Sequence, residues 1–206
     1  MFDSGIAAAK LVEGLKNEVD VAIPISDTSY IVWLNSLEQL LYSEFVQEQR
    51  ELVVDKPDKS VISLGDIEVS EGENGVSFED IYTVYADNTQ LIKSTVASGE
   101  IFPNTFYKKE NNMGYNVDFA PRKLRIIYFV KPAIKKVNIV DEKEEIGNGN
   151  VMVPIEFIDL VKAKLRGEAY KVANEDALAA KWINDYNILL ETFKAWIGDK
   201  SAKFGL

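Results

Sequence analysis

Apolar residues recur at spacings of three and four at both ends of this chain, and between those ends lies a long stretch, residues 52–153, in which that period is missing. Trp33, Leu34, Leu37, Leu40, Leu41 and Phe45 fall on one stripe of a helix, as do Ile158, Val161, Leu165, Ala169 and Val172. A stripe of that kind must be buried against another. The two ends are therefore expected to pack together, with the middle of the chain leaving and returning.

The helical boundaries have their own signals. A weak face of Ile6, Leu11 and Leu15 marks a short first segment, and Pro24 then breaks the pattern. Ser26 or Asp27 is the expected N-cap of a helix running to about Arg50. Pro154 is placed for the first position of a later helix, since a missing N–H costs nothing there. Leu178, Trp182, Tyr186, Leu189, Phe193 and Trp196, broadened by Ile183, Leu190 and Ile197, form the widest stripe. Between these two segments stand Asn174, Glu175 and Asp176: a cap for the last helix with acids at its positive end. The simpler reading is a turn making an antiparallel helical hairpin, and the other is a single kinked helix.

The middle stretch carries short runs rich in β-branched and aromatic residues, "SVISL", "IYTVYA", "TFYKK", "YNVDFA" and "LRIIYFV", separated by Gly, Asn, Asp and Pro. Asn111, Asn112 and Gly114 are the expected turn of a hairpin, and Pro121 and Pro132 bracket the strongest strand, Leu124 to Val130. "DEKEEIGNGN", residues 141–150, reads as an exposed loop. The fold class is thus α+β: a helical bundle from residues 1–51 and 154–197, an inserted antiparallel β-module at 52–153, and a C-terminal tail at 198–206.

Composition narrows the chemistry. The chain has no histidine and no cysteine, which removes imidazole bases, thiolate nucleophiles, disulfides and nearly every zinc or haem site. A formal charge of -10 sets the surface against a phosphate backbone, so sequence-specific DNA binding is not expected. No window approaches the roughly 20 apolar residues of a membrane span, and the amino terminus lacks the basic and apolar runs of a secretion signal. The expectation is a soluble chain made in the cytoplasm.

Specific chemical motifs are scarce. "GNGNVMVP" lacks the third glycine and the lysine of a phosphate cradle. Glu156, Asp159 and Glu168, or Glu142, Glu144 and Glu145, could supply carboxylates to a glycosidase or a hard cation, but a solvated helix face and a loop account for them better. Phe102, Phe106, Tyr107, Tyr115, Phe119, Tyr128 and Phe129 could stack on sugar or single-stranded nucleic acid; alternation on strands makes core packing the better reading for most. The breadth of the last stripe suggests surface left over for a protein partner. In "GDKSAKFGL", the apolar tip of Phe204 and Leu206 suggests a segment held by a neighbour.

"TSYIVWLNSLEQLLYSEF", the strand "DFAPRKLRIIYFVKP" and the step across a loop to "VPIEFIDLVKAKLRGEAYKVANEDALAAKWINDYNILLETF" together resemble the head-to-tail adaptor, or connector, proteins of tailed bacteriophages, over roughly residues 20–197. The resemblance lies in the order and texture of elements. It implies a non-enzymatic virion protein at the neck, without a cofactor, about a dozen copies of which form a ring below the portal protein. Tail or nozzle proteins dock on it, and DNA passes through its channel without sequence-specific binding. By the same resemblance the terminal segment reaches the portal, which makes Lys203, Phe204 and Leu206, with Trp196 above them, the candidate partner interface. A tail-completion or stopper ring is the alternative within virion proteins. A carbohydrate-binding module is the alternative outside them.

Overall fold

The computed structural model describes residues 2–57, 60–69, 73–94, 102–140 and 143–204. The chain forms two compact units, Met1–Val46 with Pro132–Leu206, and Gln47–Lys131. The mixed α+β class and the insertion of strands between terminal helices are as the sequence indicates.

The first unit contains α1 (Ala8–Glu18), α2 (Asp27–Leu41), α3 (Ile158–Val172) and α4 (Asp176–Phe204). Ser26 caps α2, its hydroxyl accepting from the Ser29 N–H at 3.1 Å. One apolar cluster joins both ends of the chain, with Leu11 and Leu15 of α1, Leu34 and Leu41 of α2, Leu160 and Leu165 of α3, and Phe193 of α4. Helix α3 is central: seven of its residues are buried, among them Gly167, where an added Cβ would lie 3.1 Å from Ile183 Cγ1. That glycine lets α4 approach closely.

Asn174 ends α3 rather than capping α4. Its φ of 60° is left-handed, the Asn174 N–H bonds Lys171 O and the Glu175 N–H bonds Tyr170 O at 2.9 Å, the two-bond closure of a Schellman motif. Chain direction reverses there. Rings and cations then pair down the hairpin, Arg166 over Trp182 at 4.5 Å, Lys164 over Tyr186 at 5.3 Å and Phe157 against Phe193 at 5.1 Å, so α3 and α4 run antiparallel and the kinked-helix reading is set aside.

Helix α2 is shorter than expected. It passes into a π-helical turn at Tyr42–Val46, Gln47 takes a left-handed φ of 45°, and β1 (Gln49–Asp55) already contains Arg50. The second unit holds β1, β2 (Val61–Ile62), β3 (Ile81–Ala86), β4 (Thr89–Ser94), β5 (Thr105–Lys109), β6 (Asn112–Asn116) and β7 (Lys123–Phe129). They form a curled sheet of order β1-β7-β3-β4-β5-β6-β2, antiparallel except where β4 meets β5. Leu124 and Ile126 of β7, Val84 of β3, Phe106 of β5 and Met113 of β6 fill its interior.

The β5–β6 turn is Glu110 and Asn111, since Lys109 pairs with Asn112; Asn112 and Gly114 belong to the strand. Gly114 is needed there because the Tyr107 ring covers it, 2.4 Å from where a Cβ would stand. The strand expected in "YNVDFA" ends at Asn116.

Residues 132–153, expected in the insertion, lie in the helical unit. The 141–150 stretch is not simply a loop: Lys143–Ile146 forms β9, paired with β8 (Val137–Val140). The physical reason is the Val137 and Ile146 pair, which packs on the helical core, while Lys143 and Glu145 on the other face of β9 are exposed. Gly149 and Val151 then bond the backbone of Ser4, Ile6 and Ala8, so "GNGN" closes the N-terminal segment onto the bundle.

Candidate functional surfaces

The residues proposed for the partner interface sit at the end of α4. Trp196 is half-buried, its ring centroid 5.3 Å from Phe2, 5.2 Å from Phe157 and 6.2 Å from Phe193, with Lys200 Nζ 4.1 Å over it. Its main contacts are thus inside its own unit. Lys203 and Phe204 are the last residues of α4, so most of the expected tail at 198–206 is a continuation of helix; Leu206 lies outside the described residues. The missed signal was helical spacing itself: Ile197 is buried and Lys200 lies one turn beyond Trp196.

The last apolar stripe is covered more fully than its breadth suggests. Tyr186, Phe193 and Ile197 are buried, and Trp182, Ile183, Leu189 and Leu190 are half-buried against the other helices. Burial holds the Tyr186 hydroxyl above its ordinary pKa. Among the described side chains of α4, the exposed large apolar ones are Leu178 and Ile188.

The carboxylate candidates do not converge. Glu156 and Asp159 are exposed at the start of α3, while Glu168 pairs with Lys164 at 2.7 Å a full two turns on. Glu142 lies outside the described residues, and Glu145 is exposed on β9. Glu144 caps a helix instead: its Oε2 accepts from the Thr28 N–H at 3.2 Å and its Oε1 from the Thr28 hydroxyl at 2.8 Å, at the positive end of α2. Those bonds, the hydroxyl first, hold its pKa below the usual glutamate value. Among the described residues no group of three or more His, Cys, Asp or Glu is placed to hold a metal ion, and no helix is long and apolar enough to cross a membrane.

Of the seven candidate stacking aromatics, Phe106, Tyr107, Tyr115 and Tyr128 are buried. Phe102 and Phe119 are exposed, and Phe129 lies 5.4 Å from exposed Tyr82 on the outer face of the sheet.

Two features were not foreseen. The first is a sealed ion pair in the helical unit, Glu38 of α2 with Lys135, whose side chains are 1% and 3% exposed. Glu38 Oε1 also accepts from the Met152 N–H at 2.8 Å, while Asn35 exchanges two hydrogen bonds with the Lys135 backbone and Gln39 donates to Pro132 O at 2.8 Å. Burial pushes the Glu38 carboxyl above its ordinary pKa, and Lys135 and the Met152 amide pull against that. The pair clamps residues 132–135 onto α2 and has no route to a substrate. Its signal was readable: Glu38 stands four residues after Leu34 and three before Leu41, on the buried stripe.

The second feature is in the β-unit, where β1 and β2 are the two ends of the sheet and flank a cleft of about 570 Å³ lined by Leu52, Val54, Ile62, Ile67, Asp66 and Glu68, among others. Elsewhere in that unit Arg50 donates to Glu73 at 2.8 Å, and Lys131 pairs with Asp80, which also accepts from the Ser77 N–H and hydroxyl.

No protein family matches the sequence, and no curated protein matches it.

Proposed function

We propose that this chain is a non-enzymatic structural subunit of a phage neck, a head-to-tail adaptor that assembles as a ring below the portal and carries the tail. The observation that supports the reading is the insertion topology: helices from both ends of the chain share one core, and a β-unit is inserted between them. That is the order of elements the resemblance to adaptor proteins implies. The sequence adds weight by lacking histidine and cysteine, and the most buried carboxylate, Glu38, is held by a lysine and a backbone amide rather than aimed at a cleft. Burial of Phe106, Tyr107, Tyr115 and Tyr128 takes four of the seven candidate aromatics away from any carbohydrate-stacking surface.

In this reading the end of α4 contacts the portal. Removing residues 201–206 spares Lys200 and its contact with Trp196, so the helical unit keeps its aromatic cluster. The shortened chain should fold with an unchanged thermal midpoint and fail to co-purify with portal protein. Co-purification at wild-type yield would overturn the role of Lys203, Phe204 and Leu206. Failure of the full-length chain to form any ring on portal protein would overturn the adaptor reading.

A further inference from the structure

We propose that the outer edge of β1, together with the cleft between β1 and β2, receives an extended strand of a partner chain in which apolar residues alternate with lysine or arginine. The backbone phase of β1 follows from its ladder with β7. Val130 N–H bonds Glu48 O at 2.9 Å and Lys56 N–H bonds Arg122 O at 2.7 Å, so the even-numbered residues of β1 turn their N–H and C=O toward β7. The odd-numbered residues Glu51, Val53 and Asp55 therefore turn theirs to the open edge, where no strand pairs with them among the described residues. Side chains alternate with the same period: Leu52 and Val54 face inward but are only half-buried, and no strand beyond β1 covers them among the described residues.

Across the cleft, Ile62 of β2 and Ile67 present a second half-buried apolar wall against the same core. An inserted strand would thus gain main-chain bonds from β1 and side-chain burial from both walls, the economy of strand addition. The rim selects the partner. Asp66 and Glu68 are exposed at the mouth with no ion pair among the described residues, and Asp55 has only a lysine 3.9 Å away. A second copy of a chain with a net charge of -10 meets that rim with like charge, whereas a basic strand complements it. The proposal does not rest on the adaptor reading.

The test uses the full chain and a fluorescein-labelled peptide of alternating lysine and valine, KVKVKVK, followed by anisotropy, with EVEVEVE as the control. Val53→Pro removes one edge donor at a position where an edge strand tolerates proline. It should weaken binding by about tenfold or more with the far-UV spectrum unchanged. Reversing both rim charges, Asp66→Lys with Glu68→Lys, should weaken KVKVKVK by a similar factor and admit EVEVEVE. Hydrogen exchange on the wild-type chain should show the amides of Glu51, Val53 and Asp55 slowed by the peptide, which decides the matter even if Val53→Pro does not fold. Absence of binding, equal binding to Val53→Pro, or protection confined to other amides would overturn the proposal. Self-association of the wild-type chain that Val53→Pro abolishes would assign the edge to a second copy and overturn the basic partner.

Discussion

Replacing Lys135 with methionine isolates what the sealed ion pair contributes. The substitution keeps most of the side-chain volume and leaves the Asn35 bonds to the Lys135 backbone in place, but strands the Glu38 carboxylate with one amide partner. Breaking a buried pair from one side costs about 3–5 kcal/mol, because the remaining charge stays desolvated. The double variant Lys135→Met with Glu38→Gln removes both charges while the Gln oxygen still accepts from Met152, and it should recover most of that loss. The pH dependence separates electrostatics from packing. Folding already raises the Glu38 pKa, and without Lys135 it rises further, so the folded state binds the proton more tightly than the unfolded one. Stability of Lys135→Met should therefore increase as pH falls from 7 toward the ordinary glutamate range, by up to about 1.4 kcal/mol per pH unit. The double variant should lack that extra slope. Urea unfolding followed by tryptophan fluorescence reads the correct unit, since Trp33, Trp182 and Trp196 all lie in the helical one. A loss under about 1 kcal/mol with no added pH slope would refute the claim that the pair is buried and mutually dependent.

Three further outcomes follow from particular contacts. Asn174→Gly should leave the thermal midpoint nearly unchanged, whereas Asn174→Val should cost roughly 1–2 kcal/mol in a denaturation curve, because a β-branched residue resists the left-handed φ of 60°. Gly114→Ala should displace the Tyr107 ring and destabilise the β-unit by roughly 1–3 kcal/mol, visible as a changed near-ultraviolet spectrum. Glu144→Gln should lower the melting temperature at neutral pH, and the difference should shrink as the medium is acidified through the carboxylate range. The folded-state pKa of Glu144 is depressed, so its contribution exists above the ordinary glutamate value and is lost as pH falls through the depressed one.

Much of the fold was legible because it rests on local periodicity. The α2 cap at Ser26, the stripes of α2, α3 and α4, and the strands of "IYTVYA", "TFYKK" and "LRIIYFV" follow from side-chain spacing and capping chemistry alone. What failed rests on which backbone conformation a residue takes and which side chain it meets, neither of which spacing alone encodes. Whether Asn174 caps a new helix or closes an old one depends on which φ it takes, and both uses suit an asparagine. Residues 141–150 read as a loop because a charged run gives no sign that it will fold back as a strand and set Ile146 beside Val137. Gly114 looked like a turn residue because the ring that requires it comes from the neighbouring strand. The edges of the β-unit were invisible for the same reason, since an unpaired strand reads the same as a paired one.

The partial covering of α4 changes what an assembly of this chain would be like. Had the wide apolar stripe remained open, copies would associate strongly on their own, since burying apolar surface yields roughly 25 cal/mol per Å². Instead α3 and the N-terminal segment take up Phe193, Ile197 and much of Trp196, and Tyr186 is buried too, leaving Leu178 and Ile188, ten residues apart, as the exposed large apolar side chains among those described on α4. A stable interface between two proteins buries on the order of 1,200–2,000 Å² in all, and two isolated side chains supply a small part of that. Neighbouring copies would also have to overcome mutual repulsion from a charge of -10 each. A ring whose copies met through α4 should therefore form on a template that holds them in place. Sedimentation of the purified chain at micromolar concentration should accordingly give a monomer, with higher oligomers appearing when portal protein is added; a preformed ring in its absence would mean that surfaces other than these helices drive assembly.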